Sequence, residues 1–343
     1  MLLSYSDFLL QFTANPTFRV AALLILAVLL VNGWTDAPNA IACAVVTNAL
    51  PFHRAVLLAA VSNFLGVVCA TLLTPAVTYN IYSMAVFSGG PRRTLCALCA
   101  ALCAIVLWAV FAWLFGIPTS ESHALIAGLS GAAVALEGDF SCIRWESWRS
   151  VLWGLLLSLG IGFLLGGLAW KLVRLLPLSS RLCRRLQVPG AAVSAFLHGA
   201  QDGQKFLGVF LLGCTLAEGS HVTQPFHVPL WLMILCALFM ALGTGLGGRR
   251  IIDKVGREMV QPGPKEGLAS DIASGMCLCL ATLFGFPVST THTRTAVLLG
   301  VGRASCGNCN RQVVRSIVGA WLLTFPGCFL LGYGFARLLL RFL

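Results

Sequence analysis

Five stretches of this chain, residues 55–78, 94–115, 150–170, 228–247 and 313–336, are almost wholly apolar, and each has the length of about 20 residues that a helix needs to cross some 30 Å of hydrocarbon. Composition agrees. Hydrophobic residues make up 58% and charged residues 10%, against about 25% charged in an ordinary globular domain, so a soluble fold of this length could not cover its surface. Aromatic and branched residues run through the whole sequence, which excludes disordered, collagen-like and disulfide-scaffold chains. We read an all-α protein of the cell (plasma) membrane, multi-pass and in contact with the lipid bilayer.

The net charge of +11 fits positive-inside loops, because Lys and Arg sit mainly between the apolar runs. No nucleic-acid partner is expected. Most cysteines (Cys69, Cys99, Cys236, Cys277 among them) lie inside apolar segments, where a free thiol is a small hydrophobe. Cys306 and Cys309 form one CxxC without a second pair, read as a polar loop rather than a zinc site. The N-terminus lacks a basic start and a small-residue cleavage site, and is expected to belong to the mature protein.

Two further apolar runs, 19–31 and 191–213, carry polar interruptions. Asn32-Gly33-Trp34-Thr35-Asp36-Ala37-Pro38-Asn39 follows the first, and His198-Gly199-Ala200-Gln201-Asp202-Gly203-Gln204-Lys205 splits the second. Gly and Pro break a helix there, and the freed backbone is tolerated only beside protein or a water-filled cavity. A second motif, Gly116-Ile117-Pro118-Thr119-Ser120-Glu121-Ser122-His123, precedes an apolar half-span ending near Ala135. Its counterpart, Gly285-Phe286-Pro287-Val288-Ser289-Thr290-Thr291-His292, precedes one ending near Gly302. Each half-span predicts a re-entrant hairpin.

Asp36 and Asp202 stand 166 positions apart, and Pro118 and Pro287 169 apart. Two offsets so close predict an internal repeat: residues 1–176 and 190–343 as transmembrane halves, joined by a cytoplasmic linker, 177–189. Loop charges predict that the halves are inverted. Residues 79–93 hold Arg92 and Arg93, whereas 248–267 hold Arg249, Arg250, Lys254, Arg257 and Lys265. Residues 136–149 balance two arginines with three acids, whereas 303–315 hold Arg303, Arg311 and Arg315 with no acid. Three crossings and one hairpin per half then place the loops around Arg54, Arg181–Arg185, Arg249–Lys265 and Arg303–Arg315 in the cytoplasm. Segments 79–93, 136–149 and 217–229 and both termini fall outside.

Inverted repeats with broken helices are how secondary transporters hold an anion and its coupling ions near the midplane. A half-helix N-terminus presents free N–H groups and a positive dipole end, which suit an oxyanion. Thr119, Ser120 and Ser122 stand at one start, and Ser289, Thr290 and Thr291 at the other. An N-cap accounts for one hydroxyl per start, and three in both halves point to a ligand. Asp36 and Asp202 are ionisable groups in apolar surroundings, functional by default. Carboxylates repel an anion, so they are assigned to Na⁺ as metal ligands, or to a proton. Asn32, Gln201 and Glu121 are placed with them, and Asn39 and Lys205 with the substrate.

Lys205 has two open readings, an ion pair with Asp202 or neutralisation of substrate. His123 and His292 are read first as structural and second as proton-coupling groups. Arg294 is expected to pair with Glu121, Asp36 or Asp202. The run Gly160–Gly167 is a candidate lipid-facing helix contact, including one between two copies in a homodimer. The expected function is symport of a tetrahedral oxyanion. Na⁺ is favoured over H⁺ because bound cations offset the repulsion between two acids and an anion. No HExxH, paired-acid motif or nucleotide loop is present, so no enzyme is expected, and no cofactor apart from the coupling ion. A channel would need a continuous polar lining, whereas the polar residues cluster at four interruptions.

NGWTDAPNAIACAVVTNAL and HGAQDGQKFLGVFLL resemble the paired signature segments of the inorganic phosphate transporter family, and PTSESHALIAGLSGA and PVSTTHTRTAVLLGVGRA resemble its hairpin motifs. The similarity spans both halves. It implies import of inorganic phosphate with Na⁺ or H⁺, as in bacterial low-affinity permeases, some of which carry neutral metal phosphate with H⁺; related members carry sulfate. It also implies that Asp36, Asn39 and Asp202 fill the acidic and amide positions, and Ser120, Ser122, Thr290 and Thr291 the substrate-facing hydroxyls. Four positions depart from the pattern. Thr35 stands where Asn or His is usual, Gln201 for Asn, Glu121 for a small or hydroxyl residue, and Arg294 for an apolar one.

Overall fold

The computed structural model describes residues 4–82, 87, 89–143, 145–219, 227–305 and 309–342, and every regular element among them is a helix. Residues 83–86 and 220–226 of the expected exterior loops, and Cys306, lie outside the described residues. In chain order the helices are α1 (Tyr5–Ala14), α2 (Pro16–Thr35), α3 (Pro38–Val46), α4 (Phe52–Leu73), α5 (Ala76–Tyr82), α6 (Pro91–Leu114), α7 (Glu121–Glu137) and α8 (Trp145–Leu175). They continue with α9 (Ser180–His198), α10 (Gln204–Glu218), α11 (Leu230–Leu246), α12 (Arg249–Ile252), α13 (Pro264–Leu283), α14 (Thr290–Ala304) and α15 (Arg311–Leu339).

Among the described residues, six helical segments are long and apolar enough to cross a membrane: Pro16–Val46, Phe52–Leu73, Pro91–Leu114, Val151–Leu175, Pro264–Leu283 and Arg311–Leu339. Leu230–Leu246 and Arg249–Met259, bent by 66° at the break between them, make a seventh only if taken together as one span. Helix α13 is absent from the apolar runs seen in the sequence, because Lys265, Glu266, Ser270, Asp271 and Ser274 dilute its hydropathy. Ser179 caps α9, which starts at Ser180, so most of 177–189 is helix.

The two polar interruptions are built differently. In the first, α2 ends at Thr35, and Asp36 and Ala37 form a turn before Pro38, which has no N–H to continue the ladder. In the second the backbone never leaves helical geometry. Gly199–Gly203 is one π turn between α9 and α10, so the expected break is a bulge in a continuous rod. A π turn shifts the hydrogen-bond register by one residue, which redirects side chains without exposing a helix end.

Packing crosses between the halves. α2 lies on α11 and α4 on α9, while α7 lies on α15 and α14 on α8. Small residues permit these crossings. A Cβ on Gly33 would strike the Met240 carbonyl and one on Gly199 the Asn63 carbonyl. Likewise Gly131 meets the Phe329 carbonyl, and Gly300 that of Phe163. Gly33 and Gly199 differ by 166 positions and Gly131 and Gly300 by 169, the offsets of the polar motifs. The Gly160–Gly167 run is therefore not a lipid-facing surface throughout: Gly162 and Gly166 seat α14, against Thr293 and Val297.

Candidate functional site

Each hairpin helix starts from a tight turn. Gly116 and Gly285 adopt φ of +65° and +69°, a left-handed geometry that costs a residue with Cβ about 1–2 kcal/mol. The chain then runs through a Pro to the hydroxyl cluster. The turns are held from outside: the Trp321 indole N–H donates to the Pro118 carbonyl at 3.0 Å, and the Asn80 amide to the Gly285 carbonyl at 2.7 Å.

Within each cluster the roles divide. Ser120 accepts the His123 N–H at 3.4 Å and Ser289 the His292 N–H at 3.2 Å, so these two serines are the N-caps. The other hydroxyls reach the acids. Thr291 donates to Asp36 Oδ1 at 2.7 Å and accepts from Asn39 Nδ2 at 3.2 Å. Thr290 donates to Asp202 Oδ2 at 3.0 Å. Ser122 accepts from Lys205 Nζ at 2.7 Å. Thr119 is buried beside its cluster.

Lys205 is fully buried, and its three donors have three acceptors: Ser122, Asp202 Oδ1 at 2.6 Å and the Val288 carbonyl at 2.6 Å. The ion pair with Asp202, one of its two readings, is formed. Glu121 turns inward, its Oε1 2.6 Å from the Thr35 hydroxyl, while its backbone N–H reaches the Asp36 carboxylate. Gln201 donates to Thr282 at 3.0 Å and to the Phe286 carbonyl at 3.3 Å. Thus residues from all four motifs, separated by up to 255 positions, converge on one buried locus.

Four amide oxygens on the two interruptions are unmatched. Asn32 Oδ1, Asn39 Oδ1, Gln201 Oε1 and Gln204 Oε1 are buried and accept no hydrogen bond. An acceptor left dry costs about 1–3 kcal/mol, and a hard cation, which takes oxygen ligands, would satisfy such groups. Two carboxylates stand beside them. Asp36, Asp202 and His198 each bring a ligand atom within 4.8 Å of the others. His198, to which the sequence reading assigned no role, stands 3.3 Å from Asp202 through Nε2. Its Nδ1 lies 2.9 Å from Asn63 Oδ1, and Asn63 in turn donates to Thr244 at 3.0 Å. A histidine four residues before an acid on one helix was the available signal.

One expectation changes. Arg294 pairs with none of Glu121, Asp36 and Asp202. It reaches Asp271 Oδ1 at 3.2 Å and the Ala40 carbonyl at 3.1 Å, because Asp271 on α13 faces it directly and Asp36 is already held by Thr291. His123 and His292 lie 4.7 Å apart between centroids with their rings tilted by 42°, with Trp321 against His292 and Phe325 against His123.

The chain matches the profile of the phosphate transporter family over residues 32–182 and 177–332. It is 33% identical over 320 residues to a probable low-affinity inorganic phosphate transporter of Bacillus subtilis (strain 168), covering 89% of this chain and 94% of that one. It is 35% identical over 313 residues to a protein of the same description from Rhizobium meliloti (strain 1021), covering 88% and 90%. Its fold matches a solved structure described as the sodium-dependent phosphate transporter with a TM-score of 0.85, at 21% identity, over 95% of this chain and all of that one. The interrupted helix, the π-bulged rod and the two hairpin starts thus belong to a multi-pass membrane protein of the phosphate transporter family, a transporter and not an enzyme.

Proposed function

We propose that the protein imports inorganic phosphate by symport with Na⁺, through alternating access around the locus between the two hairpin starts. The convergence of Ser122, Thr290 and Thr291 on Lys205, Asp202 and Asp36 carries this reading. Neutral hydroxyl donors and helix N-termini suit a tetrahedral oxyanion, and the carboxylates with unmatched amide oxygens suit the cations that offset its charge. The hairpins belong to opposite halves, so a rocking of one half against the other would open the locus to each side in turn. The relatives named as phosphate transporters, and the sodium-dependent one of the same fold, support the substrate and the ion.

One observation favours a second reading. Asp36, Asp202 and His198 form an oxygen and imidazole set of the kind that binds a divalent transition metal, which would suit a neutral metal phosphate carried with H⁺. Labelled phosphate uptake into proteoliposomes, with Na⁺ and pH gradients imposed separately and divalent metal present or chelated, tests both. Na⁺-driven accumulation that survives chelation is expected. Uptake driven only by pH, and lost on chelation, selects the metal phosphate. Transport of sulfate with exclusion of phosphate rejects the substrate.

A further inference from the structure

Away from this locus, an open recess of about 410 Å³ lies between α8, α14 and α15. Its walls are Phe163, Leu299 and Val314, and its polar groups are Arg303, Arg311 and Arg315. We propose that it binds the phosphate-bearing headgroup of an anionic membrane lipid, with an acyl chain along Phe163, Leu299 and Val314.

Three observations carry the assignment. The first is uncompensated charge. Among the described residues, no ion pair or side-chain hydrogen bond joins any of the three guanidinium groups to a carboxylate. A second recess of about 420 Å³ makes the contrast, since its Arg93, Arg337 and Arg341 stand around Glu137.

The second is helix electrostatics. Arg311 is the first residue of α15 and Arg315 lies one turn on, so two like charges at i and i+4 sit at the positive end of a helix. Both relationships are unfavourable without an anion.

The third is depth. Gly167 of α8 lies against Gly300 and Ala304, at the end of α14, while Gly162 lies against Thr293 nearer its start. The two helices therefore run in the same direction. α8 continues from Gly167 to Leu175, about 12 Å further at 1.5 Å per residue, exposing Leu168, Leu172 and Leu175 along the way. The arginines thus open from a recess about two turns below the end of α8, whose final stretch also carries Lys171 and Arg174, where a basic pocket between membrane helices meets lipid headgroups.

The test uses the full chain, purified and delipidated, then titrated with phosphatidylglycerol or phosphatidylcholine in nanodiscs and read by native mass spectrometry. Saturable binding of phosphatidylglycerol over phosphatidylcholine is expected. Each arginine near an anionic lipid contributes roughly fivefold, so the variant R303Q/R311Q/R315Q should lose affinity on the order of 100-fold. Arg337→Gln, in the other recess, should leave binding unchanged. If the triple variant does not fold, Arg303→Gln alone should show a loss of about fivefold by the same reckoning. Equal retention of phosphatidylglycerol by the folded variants would overturn the proposal. So would displacement of the lipid by inorganic phosphate, which would assign the recess to a free anion.

Discussion

Thr291 and Asp36 lie 255 positions apart and share a hydrogen bond of 2.7 Å, donated by the Thr291 hydroxyl at the start of α14 to the carboxylate in the interrupted helix. The same oxygen of Thr291 accepts from Asn39, so a single hydroxyl ties the second hairpin to two polar residues of the first signature. Thr291→Val keeps the shape and removes the donor. A hydrogen bond to a charged group contributes about 1.5–3 kcal/mol, so phosphate uptake at limiting substrate should fall roughly 10- to 150-fold, with recovery in Thr291→Ser. Initial rates in proteoliposomes measure both, and a valine variant with wild-type rates would remove Thr291 from the site.

The caps should behave otherwise. Ser289→Ala and Ser120→Ala each delete one side-chain acceptor at a helix start, worth about 1 kcal/mol of stability. Thermal unfolding in detergent should register that loss, while uptake stays within a few-fold of wild type.

The two acids differ in what their loss leaves behind. Asp36→Asn removes a charge held by neutral donors, and should abolish the dependence of uptake on the cation gradient in a protein that still folds. Asp202→Asn also leaves Lys205 buried without its counter-charge, a defect of about 3–5 kcal/mol. The double variant Asp202→Asn/Lys205→Met should regain stability without regaining coupled uptake. Gradient-driven accumulation in Asp36→Asn would move the coupling ion elsewhere, with Glu121 next to be replaced.

Asp271 and Arg294 form a buried pair between α13 and α14, one of whose groups also grips α3 through the Ala40 carbonyl. Arg294→Leu or Asp271→Leu alone should destabilise by about 3–5 kcal/mol, and the double leucine variant should recover most of the loss. A double-mutant cycle on unfolding free energy measures the coupling. Additive losses would show that the two charges do not depend on each other.

The orientation can be read from one position. Gln261 is exposed and follows Arg249, Arg250, Lys254 and Arg257, so the positive-inside rule places it in the cytoplasm. A cysteine introduced by Gln261→Cys should resist an impermeant thiol reagent in intact cells and react in inverted vesicles. Efficient labelling in intact cells reverses the assignment.

Hydropathy and spacing made the membrane class, the positions of both interruptions and both hairpin starts legible, because 1.5 Å per residue against a fixed bilayer thickness, and a recurring offset of 166 to 169 positions, are properties of the linear chain. The hydroxyls and acids that meet at the site could be named for the same reason. Their partners could not. Ser120 and Ser122 look alike in sequence, and only the direction of each side chain separates a cap from a contact to Lys205. Asp271 went unnoticed because a lone acid lowers the hydropathy of its helix, and its pairing with Arg294 became visible only when α13 and α14 packed together. The second interruption was misjudged as a break, since Gly199 and Gly203 permit either an unwound segment or a π turn, and the close approach of Asn63 and Val67 to those glycines belongs to the packed structure. The chain specifies which residues enter the bilayer. Contacts between segments some 80 to 255 positions apart decide which of them face one another, and those energies exist only after packing.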